Sequence, residues 1–552
     1  MSKNKRQPHI GGARQQAGAP KSVSTTAARK GASNLPAKAK RRLHLPLLPI
    51  PLITFVLLWA WIALWHGDEF RMIRENSFFA FDSTLMDFEL GKQNGLLWTI
   101  GRGLLTTFRT PWIGGLLLSF LLTASCWMLG YVLRLKGWLR SLQYLPLAIF
   151  TGIFTYQGIN NWFEAESGHV MGFPLIIFAV LTLASLVVRF AFHKPAPAIV
   201  RLPKDEKPRH NRLQLYAVLL VLAAPMYFGQ KERPYVRPLA QMQVGVMEQD
   251  WQRVIDVAHD NDELSNRPMT AYYAMALVQS GQIGDRLFDI RIDYDSIYAF
   301  GLNQTFNNTN MYLMESDFHA GLVETSYHHA MESMAIEGPT LRNLKVMCKA
   351  AILRSEWEMA DKYLTILDKV PFEGDFVRRY RPMLRDRKKV DADPEFALIR
   401  KLEPMHDTFE NYLVLPVFLG YNAALTEGRS QAALLNALMV SIYTKSIPGI
   451  MARLEPLVGT TPPSSVMEVI ALLSGRENGL KNAFPSTEMY MSRLANFIDE
   501  TRQYVTTPEE RAKHARELFP RYKGYYPFYY FFGNLKSTRK LPKDANSSAG
   551  VN

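Results

Sequence analysis

The sequence predicts an all-α protein, with an N-terminal bundle of five transmembrane helices followed by a soluble α-solenoid domain of helical repeats. Three observations predict this fold class. Five separate apolar stretches lie within the first 230 of the 552 residues. The loops between these stretches are alternately basic and non-basic. The rest of the chain carries apolar residues at helical spacing and few of the alternating patterns that are typical of β-strands.

The chain begins with a basic tail, residues 1–44, which contains eleven Lys and Arg residues and no acid. The tail is rich in Ala, Gly and Ser and has no apolar periodicity, so we expect it to be disordered. A polybasic segment beside a membrane is attracted to anionic lipid headgroups. Most of the formal net charge of +14 lies in this tail and in the basic loops, and we therefore expect no nucleic-acid partner.

The membrane domain is predicted over residues 45–229. Each apolar stretch is about long enough to span roughly 30 Å of hydrocarbon. The positive-inside rule places the N-terminus in the cytoplasm, and an odd number of spans then places the chain after Gly229 on the far side, which is the periplasm of a bacterial inner membrane. The loop over 66–110 mixes bases with a slight excess of acids and is the exception to the alternation. The predicted spans are about 45–66, 112–134, 139–159, 171–193 and 213–229.

Acidic residues in the first exported loop are the candidate catalytic residues. Asp68 and Glu69 follow the first span directly, and Asp87 and Glu89 precede an amphipathic stretch. One carboxylate can act as a general base toward an acceptor hydroxyl, and a second can hold a divalent cation. The alternative interpretation is that all four are solvated loop carboxylates, offset by neighbouring bases. These bases are Arg71, Arg74 and Lys92.

The amphipathic stretch over about 95–109 is predicted to be an interfacial helix, because its apolar face is too short to span. Arg102 and Thr106 fall opposite that face. An acidic pair followed by such a helix resembles the first external loop of membrane glycosyltransferases that use lipid-linked sugars. Those enzymes usually have eight or more spans, whereas five are predicted for this chain. The apolar face is formed by Leu96, Ile100, Leu104 and Phe108.

The exported domain is predicted over residues 230–540, with a loose polar tail over 541–552. Its clearest unit is Leu341–Pro371, a pair of helices that resembles a tetratricopeptide repeat. Similar patterns recur near residues 251–258, 274–288 and 321–334, and the alternative is a generic helical domain. The aromatic segment YKGYYPFYYFF, from Tyr522 to Phe532, is predicted to close the core rather than to touch the membrane. The apolar faces of the clearest unit are formed by Leu344, Met347, Cys348 and Ala351, and by Trp357, Ala360, Leu364 and Leu367.

Several segments together resemble a known bacterial family. These are ENSFFAFDSTLMDFELGKQNGLLWTIGRGLLTTFRTPWIGGLLL, EQDWQRVIDVA, GLVETSYHHAMESMAIEGPTLRNLKVMCKAAILRSEWEMADKYL and YKGYYPFYYFF. The family is one of uncharacterised polytopic inner-membrane proteins with tetratricopeptide-like C-terminal helices. The resemblance implies the architecture and a bacterial origin, and it brings no catalytic residues with it.

Metal and disulfide chemistry is not indicated by the sequence. Cys126 lies in the second span and Cys348 in the exported domain, so the two cannot pair across the membrane. His328 and His329 are adjacent, and on a helix their side chains diverge by about 100°. We therefore expect no metal site and no cofactor.

The predicted function is to display the tetratricopeptide-like domain for binding another envelope protein, which favours a non-enzymatic role. The alternative is a membrane glycosyltransferase that uses the acids of the first external loop. A small-molecule transporter is a third possibility, but no predicted span carries the acidic group that proton-coupled carriers normally need.

Overall fold

The structure is a computed structural model, and it describes residues 49–163, 166–191, 208–262, 266–292, 312–404, 430–475, 477–504 and 507–533. Every regular element within these ranges is helical, and none of the ranges contains a β-strand. The all-α class is therefore confirmed. The predicted tails, residues 1–44 and 541–552, lie outside the described residues.

Helices α1 to α9 form the N-terminal part of the protein. A π-helical turn, Trp61–Trp65, extends α1, and 3-10 turns over Thr106–Arg109 and Gly137–Tyr144 follow α4 and precede α6. The helices are α1 Ile50–Ala60, α2 Gly67–Glu75, α3 Ser83–Leu90, α4 Gly95–Leu105, α5 Pro111–Val132, α6 Leu145–Gln157, α7 Asn160–Phe163, α8 His169–Ala191 and α9 Pro208–Glu232.

Among the described helices, α5, α8 and α9 are long and apolar enough to cross a bilayer. A fourth candidate combines α1 and its π-helical turn with α2, but that pair is bent by 67°. The apolar stretch over 139–159 is divided into a 3-10 turn and the 13-residue helix α6, which rises only about 20 Å. Pro146 suits the first turn of a helix, so α6 begins there rather than earlier. The structure therefore supports three or four candidate spans, and the five-helix bundle stays a prediction.

The predicted interfacial helix corresponds to α4 and the 3-10 turn that follows it. Leu96 and Ile100 are 66% and 44% exposed, whereas Arg102 and Thr106 are buried. The first half of the predicted apolar face is thus exposed, whereas Leu104 is partly buried and Phe108 is fully buried in the core. The polar side packs against the protein. Gly101 permits this close packing, because a Cβ atom there would lie 2.1 Å from the carbonyl oxygen of Gly168.

The C-terminal part continues as short helices. A 3-10 turn over Arg381–Leu384 follows α18. The helices are α10 Val236–Glu248, α11 Trp251–Asp260, α12 Arg267–Gln279, α13 Ile283–Arg286, α14 over 312–319, α15 Val323–Glu337, α16 Leu341–Leu353, α17 Trp357–Asp368, α18 Gly374–Tyr380, α19 Arg387–Ala392, α20 Pro394–Leu402, α21 Gln431–Tyr443, α22 Ile447–Leu454, α23 Ser464–Ser474, α24 Asn478–Ala483, α25 Thr487–Thr501, α26 Pro508–Tyr522 and α27 Tyr526–Phe532.

The pair α16 and α17 lies within the predicted unit Leu341–Pro371, and the predicted apolar faces are buried except for Trp357, which is partly buried. The hydroxyl of Thr340 accepts the backbone N–H of Asn343 and caps α16. Ala360, Leu364 and Leu367 of α17 are fully buried. Ten of the 13 residues of α16 are buried, because this helix packs against α15 as well as α17. A single apolar stripe in the sequence does not reveal this second contact.

The hydrophobic cores do not divide at residue 230, where the sequence predicts a domain boundary. Part of α10 packs into the core of the N-terminal apolar helices, and part of the first loop packs into the core of α15 to α17. Side chains from each predicted domain therefore pack in a core formed mainly by the other. The residues that cross the boundary are Val236, Ala240 and Val244 on one side and Phe78, Ala80 and Met86 on the other.

The aromatic segment near the end of the chain forms α27 and is buried, which confirms that it closes a core. Tyr525, Phe528 and Phe532 pack with Phe497 and Phe519 in one apolar cluster.

Candidate functional site where the first apolar helix ends

Helix α2 places the acids of the first loop. The apolar sequence of α1 gives way to HGDEFRMIRE, and the chain bends by 67° as α2 begins. Asp68 and Glu69 lie in the first turn of α2, where a negative charge is favourable to the helix dipole.

The four candidate carboxylates lie in four different environments. Asp68 pairs with Arg253, with Oδ2 2.7 Å from Nη2. Glu69 is buried and contacts His66, whereas Asp87 is exposed. Glu89 is buried, and its carboxylate binds Nη2 of Arg102 at 3.1 Å and Nζ of Lys92 at 2.9 Å. The expectation of four solvated loop carboxylates is therefore wrong for Glu69 and Glu89, because the bend after α1 turns Glu69 inward and α4 covers Glu89.

The bases of the first loop have partners that their sequence positions do not reveal. Lys92 binds Glu89, as the proximity in sequence suggests. Arg71 instead binds Glu248 of α10 at 2.7 Å, and Arg102 forms a bidentate pair with Glu166 at 2.7 and 2.8 Å.

His66 and Glu69 form a buried pair at the bend. His66 Nδ1 lies 2.7 Å from Glu69 Oε1, and the imidazole packs 4.2 Å from the ring of Trp61 and 5.2 Å from that of Phe154. The residue is 8% exposed, and its second nitrogen, Nε2, is buried without a partner. A carboxylate that accepts from Nδ1–H orients an imidazole and leaves Nε2 available to a ligand. His66 is not among the residues predicted from the sequence, although a His three residues before a Glu at the start of a helix is a usable signal.

A cleft opens beside this pair, between the ends of α1 and α6 and the passage from α9 to α10. We call it the His66 cleft. Its volume is about 40 Å³. By the same measure, a single water molecule needs roughly 10–15 Å³. Its polar or amphipathic lining includes Trp65, His66, Glu69, Thr155, Arg233 and Arg237.

Two arginines bring positive charge to the His66 cleft. Arg233 Nη1 donates to the carbonyl oxygen of Gln157 at 2.8 Å, and the guanidinium of Arg237 lies 3.9 Å from the centre of the Trp65 ring. Gly158, at φ +56°, ends α6 and admits Arg233, since a Cβ atom there would lie 2.9 Å from Nη1. Among the contacts of the described residues, neither guanidinium pairs with a carboxylate.

Three unsatisfied polar atoms lie in the lining of this cleft. Nε2 of His66, Oγ1 of Thr155 and Nε of Arg237 are buried and have no hydrogen-bond partner. Buried polar groups are paired in the great majority of cases, so these three atoms are available to a ligand or to water.

A second buried cluster joins the first loop to the helical domain. Arg74 binds both Glu75 and Glu373, and its Nη2 lies 3.3 Å from the carbonyl oxygen of Pro371. Lys345 completes the cluster, with Nζ 2.8 Å from Glu75 and 2.9 Å from Glu373. Two positive and two negative charges thus neutralise one another away from water. We call these four residues the Arg74 network.

Other buried ionisable groups in the helical domain are held in structural pairs. Burial by itself would raise the pKa of Glu395, but Lys349, with Nζ at 2.8 Å, holds that pKa at about 2. Burial, assisted by the charge of Lys349, lowers the pKa of His319 to about 3. His319 is therefore neutral near pH 7. The ion pair of Lys349 and Glu395 joins α20 to α16.

The remaining sequence candidates are not brought together. His328 binds Glu332 at 3.2 Å, whereas His329 lies 3.4 Å from Asp317. Cys126 and Cys348 are both free and buried. Within the described residues, no group of three or more His, Cys, Asp and Glu side chains could hold a metal ion.

Comparisons with known proteins give one match. No curated protein and no solved structure matches the chain. One family model matches residues 161–533, a range that begins at α7 and includes α8 to α27. The first loop and the His66–Glu69 pair lie before the matched range. The chain therefore belongs to DUF6057, a family of unknown function.

Proposed function

We propose that this chain is a multi-pass protein of the bacterial inner membrane that displays a tetratricopeptide-like domain for binding another envelope protein. The N-terminus lies in the cytoplasm and the helical domain in the periplasm. The apolar helices α5, α8 and α9 support the membrane location. The Lys and Arg distribution supports the orientation.

The observation that carries this proposal is the layered packing of α15, α16 and α17. Each helix packs on the next in the chain, and the central one is buried on two sides. Layers of this kind are typical of α-solenoids, whose extended surfaces bind partner proteins. Ile336, at the end of α15, is 73% exposed and is one of the few large apolar side chains exposed in this region. It supplies a candidate contact for a partner.

Co-purification from a mild detergent tests the proposal. The intact chain should retain a partner in stoichiometric amount, and Ile336→Asp should release it without changing the melting temperature of the chain. Met489→Asp is the control, because Met489 is 70% exposed but lies on α25. The absence of a stoichiometric partner, or its equal retention by both variants, would contradict a scaffold role.

Reporter fusions test the orientation separately. Alkaline phosphatase folds only when exported, so a fusion after Lys536 should be active and one after Pro203 inactive. The reverse pattern would overturn the five-span topology.

A membrane glycosyltransferase is the second candidate, and the His66–Glu69 pair favours it. An imidazole held by a carboxylate can accept a proton from an acceptor hydroxyl at Nε2, while Glu69 stabilises the imidazolium that results. Asp68, Asp87 and Glu89 have less suitable surroundings, since Asp87 is exposed and the other two are paired with bases.

Substitutions at the four acids separate the two candidates. If the chain is a scaffold, Asp68→Asn, Glu69→Gln, Asp87→Asn and Glu89→Gln should each complement a deletion strain. A transferase predicts loss of function for Glu69→Gln at normal protein abundance, because a general base contributes about 10² to 10⁴ in rate.

A further inference from the structure

The His66 cleft lies at the ends of apolar helices. It is formed where α1 and α6 end and where α9 passes into α10. Trp65 lines it, and Tyr156 and Tyr227 are 77% and 65% exposed near the same helix ends. Trp and Tyr are enriched at the boundary between hydrocarbon and water. In the membrane topology proposed above, the cleft would open at the depth of lipid phosphates, on the side of the helical domain.

The charge of the cleft suits an anion. Arg233 and Arg237 bring two guanidinium groups whose described contacts are a carbonyl oxygen and aromatic rings. Arginine presents its N–H groups in a planar fork that matches two oxygens of a phosphate. Glu69 also lines the cleft, with Oε1 held by His66, so the two guanidinium groups outnumber the one carboxylate.

The unsatisfied atoms point to a ligand with both acceptor and donor groups. Nε of Arg237 is a buried donor, and Oγ1 of Thr155 can donate or accept. Nε2 of His66 accepts from a headgroup hydroxyl when the ring is neutral, and donates to a phosphate oxygen when the ring is protonated. A phosphate ester that carries a hydroxylated headgroup satisfies all three.

The size of the cleft limits what enters it. About 40 Å³ accommodates a compact polar group but not a nucleoside or an oligosaccharide. The acyl chains of the ligand stay outside, against the exposed apolar side chains of α6 and α9, such as Leu220 and Phe228.

We propose that the His66 cleft binds the phosphate headgroup of an anionic membrane lipid, with Arg233 and Arg237 holding the phosphate oxygens and His66 facing the headgroup hydroxyl. This site goes beyond the proposed protein-binding function. It rests on the membrane location proposed above, and it does not depend on whether the helical domain has a partner.

Native mass spectrometry of the full chain in a neutral detergent tests the site. The probes are dioleoylphosphatidylglycerol, inorganic phosphate and dioleoylglycerol, which lacks the phosphate. Phosphatidylglycerol should bind at a stoichiometry of one and raise the melting temperature. Inorganic phosphate should bind at least about tenfold more weakly, because it lacks the chains that concentrate the lipid. Equal stabilisation by inorganic phosphate, or equal binding of dioleoylglycerol, would overturn the lipid assignment.

Two variants and one control localise the binding. Arg233→Gln combined with Arg237→Gln should weaken phosphatidylglycerol binding by about tenfold or more, since charge-assisted hydrogen bonds are lost. Arg237→Lys retains the charge without the fork and should lose less. Lys231→Gln should bind like the wild type, because Lys231 is exposed on the same side and does not line the cleft. Unchanged binding by the double variant, with an unchanged melting temperature without lipid, would overturn the proposal.

Discussion

At the scale of single residues, Ala360 decides how closely α17 packs on α16. It is fully buried, and its carbonyl oxygen lies 4.0 Å from Sγ of Cys348. Glu358, two residues earlier, is exposed. Two neighbouring positions on one helix therefore have opposite environments.

Charge-introducing substitutions at these two positions should differ sharply in stability. Ala360→Arg buries a charge in a filled interface and should lower the free energy of unfolding by several kcal/mol. Glu358→Arg should change it by less than about 0.5 kcal/mol. Thermal melts of the detergent-solubilised chain provide the measurement. Equal tolerance of both substitutions would show that the helical register is wrong.

Glu468 should make stability depend on pH. Burial raises its pKa to about 7, although the backbone N–H of Tyr526, at 2.8 Å, and Arg493 oppose the shift. A carboxyl group whose pKa is higher in the folded than in the unfolded chain favours folding when protonated. Its contribution is fully present below the unfolded pKa of 4.5 and is lost as the pH rises through 7.

The variant Glu468→Gln should remove this dependence, because the amide keeps an acceptor for Tyr526 N–H and cannot ionise. Melting temperatures at pH 5 and pH 8 should differ more for the wild type than for the variant. Glu358→Gln, at an exposed position, is the control and should follow the wild type. Identical pH profiles for wild type and Glu468→Gln would refute the buried titration.

At the scale of elements, the segment between α2 and α3 is part of the helical domain's core. The backbone N–H of Phe81 donates to the carbonyl oxygen of Lys369, and that of Leu341 donates to the carbonyl oxygen of Ser77. Asp82 caps α3 and also binds Nζ of Lys369 at 2.5 Å. This segment therefore packs where α16 begins and α17 ends.

Two phenylalanines in that segment allow a matched comparison. Phe78 is 2% exposed and packs in the core of α15 to α17, whereas Phe81 is 78% exposed. Phe78→Ala should cost about 3–5 kcal/mol, the range for large-to-small core substitutions. Phe81→Ala keeps the backbone hydrogen bond and should cost less than about 1 kcal/mol. Similar losses from both would show that the segment does not dock as described.

Helices α5 and α17 could be predicted from the sequence, because α5 contains a continuous apolar run and α17 has a clean apolar stripe. The division of residues 139–159 into a 3-10 turn and an α-helix could not be predicted, because residues in a 3-10 turn have the same composition as residues in an α-helix. The burial of Glu69 could not be predicted either, because it follows from the 67° bend after α1. Arg233 and Arg237 belong to the cleft through contacts with α1 and α6, far away in sequence.

At the scale of the whole molecule, the Arg74 network joins the first loop to the helical domain. Arg74 and Glu75 end α2, while Lys345 and Glu373 belong to the helical domain, and all four side chains are at least largely buried. The same loop carries Phe78 into the core of that domain. We infer that the N-terminal apolar helices and the helical domain fold as one unit rather than as two parts joined by a tether.

A double-mutant cycle between Arg74 and Glu373 tests this claim most directly. Arg74→Met or Glu373→Gln alone leaves an uncompensated buried charge, which costs about 3–5 kcal/mol. The double variant should cost at least about 1 kcal/mol less than the sum of the two. The exposed pair Arg378 and Asp375 is the control cycle, and its coupling should be near zero. Denaturant titrations of the full chain in mild detergent that gave additive effects, within about 0.5 kcal/mol, for Arg74 and Glu373 would contradict the account.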